Sequence, residues 1–184
     1  IANDHNLLVI SDEVYEKITF DGSKHISFAS LPGMKERTIT CNAFSKTYSM
    51  TGWRLGYLAA DQDLISPLIR VHQNMVISAN SIAQWAAVEA VTGSQRCVEE
   101  MVEAFGRRKA FLVEAFRKLS PLRLIEPQGT FYGFVDIRKL GMTSVQAVEF
   151  FFRNAGVAMV QGDSFGPSGE GYVRLSFAAA FEDL

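Results

Sequence analysis

Asn42-Ala43-Phe44-Ser45-Lys46-Thr47-Tyr48-Ser49-Met50-Thr51-Gly52-Trp53-Arg54-Leu55-Gly56-Tyr57 sets one lysine among six hydroxyl side chains, with an arginine shortly after it. Just before it, Thr38 to Phe44 is β-branched and small without helical periodicity, and so reads as a strand. Just after it, Arg54 to Ala60 is a second apolar run of strand length, opened by Gly52 and closed by Asp61. A lysine at a strand end, facing hydroxyls and an arginine, is suited to hold an anionic ligand such as a phosphate. A neighbouring cation and partial desolvation both favour the neutral amine, the form that attacks a carbonyl. The pattern points to a Schiff-base lysine.

Taken alone, a lysine after a strand is a solvated loop residue. A second cluster changes that reading. Leu7-Leu8-Val9-Ile10 is a short all-apolar run that ends in Ser11-Asp12-Glu13-Val14-Tyr15-Glu16, as expected of a buried parallel strand delivering a carboxylate at its C-terminal edge. Ligands in open α/β sheets gather at that edge, so Asp12 and Lys46 are expected to converge on one molecule.

Together the two blocks resemble the class I/II aminotransferases, pyridoxal-phosphate enzymes of the aspartate aminotransferase fold. The resemblance runs from about Leu7 to Phe177 and is most specific around Ser45-Lys46-Thr47. It implies that Lys46 carries pyridoxal 5'-phosphate as an internal aldimine and that Arg54 salt-bridges the cofactor phosphate. It also implies that Asp12 pairs with the protonated pyridine nitrogen and that Tyr15 hydrogen-bonds the ring oxygen. The chemistry is consistent with those roles. A fixed negative charge keeps a pyridine nitrogen protonated, and the protonated ring is an electron sink. An arginine fork matches phosphate bidentately, which leaves the lysine for covalent and proton-transfer work. One departure stands out: Ala43 occupies a position where many relatives carry a phosphate-binding serine, and Ser45 is the substitute donor, unless its hydroxyl only caps local backbone.

The chain has 184 residues, 48% of them apolar, and a formal charge of -2, which offers no footprint for nucleic acid or an anionic membrane. Its apolar runs fall short of the roughly 20 residues a transmembrane helix needs, and neither end reads as a signal peptide, so none is expected. Cys41 and Cys97 lack redox or metal spacing and His5, His25 and His72 lack ligand spacing, so reduced thiols, no metal and a cytoplasmic location are expected. The chain opens on Ile1, has no counterpart of the family's glycine-containing phosphate turn or ring-stacking aromatic, and closes as a final helix begins at Phe181-Glu182-Asp183-Leu184. It therefore reads as the C-terminal half of a larger enzyme, truncated at both ends and inactive by itself.

The expected fold class is α/β: part of a mixed, mainly parallel large-domain sheet with helices over residues 1–105, then a smaller α+β C-terminal domain over 106–184. Asp63 to Thr92 has helical composition with a break near Asn80-Ser81, where a serine would cap the next helix. Ser94 to Leu119 is amphipathic, with Val98, Met101, Val102, Phe105, Leu112, Ala115 and Phe116 at helical spacing, and it ends at Ser120-Pro121. Strands follow at Leu122–Ile125 and Phe131–Ile137, then a helix from Ser144 to Asn154 capped by Gly156, then strands at Val157–Val160 and Gly171–Phe177.

In that last strand, alternation puts Tyr172, Arg174 and Ser176 on one face. Alone, Arg174 is a solvated arginine on an open sheet face; the resemblance implies that it clamps the substrate alpha-carboxylate, for which a bidentate fork is suited. Gly162-Asp163-Ser164-Phe165-Gly166 matches the hydrolase nucleophile elbow, but the glycines and Pro167 that follow break the helix this elbow needs, and no histidine lies downstream.

The resemblance implies amino-group transfer between an amino acid and a 2-keto acid, in a full-length homodimer that lends a residue across subunits. A lyase or synthase on the same scaffold, and a ligand-sensing domain fused to a DNA-binding segment, are the alternatives.

Overall fold

A computed structural model describes all residues, Ile1–Leu184. The chain divides into two compact units, Ile1–Lys17 with Lys24–Glu100 and Ile18–Ser23 with Met101–Leu184.

The first unit holds a three-stranded sheet in the order β1-β2-β3, with β1 at Val9–Asp12, β2 at Thr38–Ala43 and β3 at Gly56–Ala59. β1 runs parallel to β2, with Asp12 opposite Cys41, and β3 runs antiparallel to β2, with Gly56 opposite Ala43. Gly56 is required there, because a Cβ would stand 2.8 Å from the Asn42 carbonyl oxygen. β2 ends one residue earlier than expected, and the chain turns into α1, Phe44–Thr47. Helices α2 (Gln62–Met75) and α3 (Ser81–Thr92) follow the sheet. Asn80, not Ser81, caps α3: its side chain accepts from the Ala83 N–H at 3.1 Å, and Ser81 is already the first helical residue. Leu55, Ala83 and Ala87 form a small core, with Phe44 and Ala79 packed on it.

The parallel pairing of the first strand is as expected, but its burial is not. Leu8 is 65% and Ile10 74% exposed, and within this unit β1 is an edge strand, paired only with β2.

Helix α4, Arg96–Lys118, begins in the first unit and passes into the second at Met101. The second unit's sheet is antiparallel throughout, in the order β4-β5-β7-β6, with β4 at Arg123–Ile125, β5 at Tyr132–Asp136, β6 at Val160–Gln161 and β7 at Tyr172–Ser176. Val135, Val173, Leu175 and Phe177 are buried, while Phe134, Tyr172 and Arg174 alternate onto the half-open face. Helix α5, Ser144–Ala155, has a reciprocal capping box between Thr143 and Gln146 and ends at Gly156, whose φ of 67° is the left-handed conformation that favours glycine.

Two details differ from expectation in this unit. The strand expected at residues 157–160 shrinks to Val160–Gln161, and Phe181–Asp183 is a single 3₁₀ turn. Lys109 lies on the buried face of α4 with Phe105 and Leu112, its ammonium held by Asp21 and, at 3.0 Å, by Glu126. Burial alone would lower its pKa, but those two carboxylates outweigh burial and raise it.

Candidate active site

The parallel pair β1 and β2 brings two chain ends to one edge of the first unit's sheet. Asp12 closes β1, and its Oδ1 accepts from the Val14 N–H at 3.2 Å, a local turn that holds the carboxylate at the strand tip. Beyond Ala43 the chain winds into α1, which carries Ser45 and Lys46. The Phe44 N–H bonds back to the Leu55 carbonyl at 3.2 Å, closing the intervening loop on itself. Arg54 was expected inside a strand. Instead it sits at the end of a 3₁₀ turn (Thr51–Trp53) in the left-handed region, with φ 53° and ψ 48°, and its Nη1 donates to the Thr51 carbonyl at 2.9 Å. A non-glycine residue in that conformation costs on the order of 1 kcal/mol, so the loop over-determines it.

Asp12, Ser45, Lys46 and Arg54 line one cavity of about 500 Å³, with Val14, Cys41, Asn42, Ala43 and Thr51. The two cations and one carboxylate suit a ligand whose net charge is negative but which carries one cationic end. Burial, followed by the Asp12 charge, pushes the Cys41 thiol up, which disfavours its thiolate form. Tyr15, half-buried on the loop after β1, is not part of that cavity's lining.

The same loop holds a residue that sequence reasoning missed. Glu13 is only 4% exposed, and its carboxylate accepts from Ser11 Oγ at 3.0 Å, Ser27 Oγ at 3.0 Å and the Phe28 N–H at 2.9 Å, with His25 Nε2 at 2.9 Å. Burial pushes its pKa up, but the bonds from His25, Phe28, Ser27 and Ser11 together outweigh burial and hold it below the usual carboxylate value. Glu16 also lies near Glu13 and His25. The available signal was Ser11-x-Glu13 facing His25-x-Ser27, a polar set that spacing alone does not join.

Arg174 belongs to the second unit. It lies on β7 opposite Phe134, half-buried, with its cation 4.1 Å from the Tyr132 ring centre and 4.4 Å from that of Phe165. The Gly162–Phe165 segment is a 3₁₀ turn followed by another at Pro167–Gly169, so Ser164 heads no helix.

Residues 1–183 match the family model described as aminotransferase class I and II. The chain is 43% identical to an aspartate aminotransferase of Pyrococcus abyssi, an alignment that covers 100% of this chain and 47% of that protein. It is 42% identical to aromatic-amino-acid aminotransferase 2 of Thermococcus litoralis, again over 100% of this chain and 47% of the other. Among solved structures, an aromatic aminotransferase from Pyrococcus horikoshii superposes with a TM-score of 0.95 at 42% identity, over 99% of this chain and 49% of that one. The chain thus spans about half the length of the curated relatives it matches.

Proposed function

The chain belongs to the class I and II aminotransferases, and on that premise we propose that the whole protein moves an amino group between an amino acid and a 2-keto acid with pyridoxal 5'-phosphate. One observation carries this reading: Asp12, Ser45, Lys46 and Arg54 line a single cavity. The donor set fits the cofactor. Asp12 balances the charge of a protonated ring nitrogen, and the Arg54 fork matches a phosphate. Ser45 offers a hydroxyl donor to that phosphate in place of the one absent at Ala43. Tyr15 offers a phenol to the ring oxygen, and Lys46 supplies the amine that holds the cofactor's aldehyde.

When bound, the cofactor supplies an electron sink for the pair left at the substrate alpha carbon as its C–H bond breaks. Lys46 Nζ would be the base that takes that proton. Arg174 receives the substrate carboxylate, an assignment supported by its freedom from any acidic partner. The whole protein is proposed to act as a homodimer in the cytoplasm, in keeping with two unbridged cysteines. No helix is long and apolar enough to cross a membrane.

The test is to incubate the full-length protein with pyridoxal phosphate, reduce the linkage with borohydride and map the peptides. A pyridoxyl label on Lys46 is expected. Label on another lysine, with Lys46 unmodified, overturns the assignment.

A further inference from the structure

Two arginines share the half-open face of the second unit's sheet, and their surroundings differ. Arg138 is satisfied: its Nε and Nη2 reach Asp136 at 3.0 and 2.5 Å. That guanidinium, foremost through its hydrogen bonds, holds the Asp136 carboxyl down at about 2. Arg174 pairs with no carboxylate. Its contacts are aromatic, and they come from both flanks, because the sheet order places β7 between β5 and β6. Tyr132 is on β5, and Phe165 closes the turn that follows β6. Both rings lie well within the ~6 Å over which a ring attracts a cation. Phe165 is itself backed edge-on by Phe134, at 6.4 Å between ring centres, and Phe134 stacks on Tyr172 at 5.1 Å.

Ring faces attract the cation but cannot accept the directed hydrogen bonds of a guanidinium fork. A half-buried arginine held this way is restrained and partly desolvated while its donors stay available. From this we infer that Tyr132 and Phe165 are positioning residues that hold Arg174 oriented for an incoming carboxylate. The inference rests on the reading of Arg174 as the substrate-carboxylate residue. Aromatic restraint lowers the entropy lost when the fork closes on its partner, and a salt bridge in place of the rings would have to be broken first.

The experiment uses the full-length, cofactor-loaded protein and the amino acid it turns over best among the common twenty. Three probes are compared: that amino acid, the amine that lacks only its carboxylate, and the acid that lacks only its amino group. The first two are followed by KM and kcat, the third by calorimetric titration. Phe165→Leu and Tyr132→Leu are expected to raise KM for the amino acid and weaken the acid by about three- to thirtyfold, with kcat changed by less than about twofold and the amine unaffected. Tyr132→Phe and Phe165→Tyr, which keep the rings, should restore binding. Phe165 is 52% exposed, so its replacement spares the core, and matched circular dichroism verifies folding. If the leucine variants bind the acid as wild type does while Arg174→Lys loses it, the positioning role falls and the carboxylate assignment stands. Wild-type affinity in Arg174→Lys overturns the assignment and the inference with it. Equal weakening of acid and amine also overturns the inference, because the effect would not pass through the carboxylate.

Discussion

Glu13 shows how much one side chain can organise. Four partners converge on a carboxylate that is nearly excluded from solvent, and the Glu13 N–H extends the strand pairing to the Cys41 carbonyl at 2.8 Å. The residue thus ties the segment 25–28 to the strand end that presents Asp12. Removing it by Glu13→Ala strands the hydroxyls and the Phe28 N–H, at a cost of about 2–4 kcal/mol. Denaturant titration at neutral pH measures this directly. The pH dependence has a defined sign. Because the folded-state pKa is lowered from 4.5, the stabilisation is fully present above that value and is lost as pH falls through the folded pKa. The gap between wild type and Glu13→Gln should therefore narrow in acid. A gap that stays constant down through that range would mean the carboxylate charge contributes nothing.

At the scale of elements, local chemistry decides ends and tertiary closure decides positions. Helix α5 starts where Thr143-x-x-Gln146 provides both halves of a capping box, with the Thr143 hydroxyl 3.2 Å from the Gln146 N–H and the Gln146 side chain 3.0 Å from the Thr143 N–H. Thr143→Ala should destabilise the protein by about 1 kcal/mol, and Thr143→Ser should not. A thermal unfolding midpoint that is equal for both variants would show the cap to be idle. The turn after β6 obeys a different constraint: Gly162 and Gly169 approach so closely that a Cβ on either would run into the other's backbone. Around the lysine the sequence was less legible. A strand was expected to continue through Phe44 and another to begin at Arg54. The bond from Phe44 N–H to the Leu55 carbonyl instead folds the stretch into a helical turn and a left-handed corner. That long-range pairing, which β-propensity cannot register, carries Ser45, Lys46 and Arg54 to one cavity.

For the whole molecule, the first unit displays more apolar surface than a lone folded unit ordinarily does. Met75, Ile77, Ile82 and Trp85 are exposed along with Leu8 and Ile10, and β1 and β3 are both open edges. The 184-residue chain prepared by itself should therefore self-associate and fail to retain cofactor. Sedimentation velocity over a range of concentrations, together with absorbance after removal of free pyridoxal phosphate, checks both points. A monomer with stoichiometric cofactor would contradict them.

The sequence alone was enough for the α/β class and for the family, because hydrophobic period, turn residues and the spacing of Asp12, Lys46 and Arg54 are local properties of the chain. The strand-edge rule already led Asp12 and Lys46 to be expected on one molecule. The fold supplied the means: the parallel register of β1 on β2, and the closure of the loop after Ala43 that turns Arg54 to the same cavity. Glu13 and Lys109 became visible only with the fold: a carboxylate or an ammonium is buried when distant partners neutralise it, and those partners are brought near by packing, not by sequence.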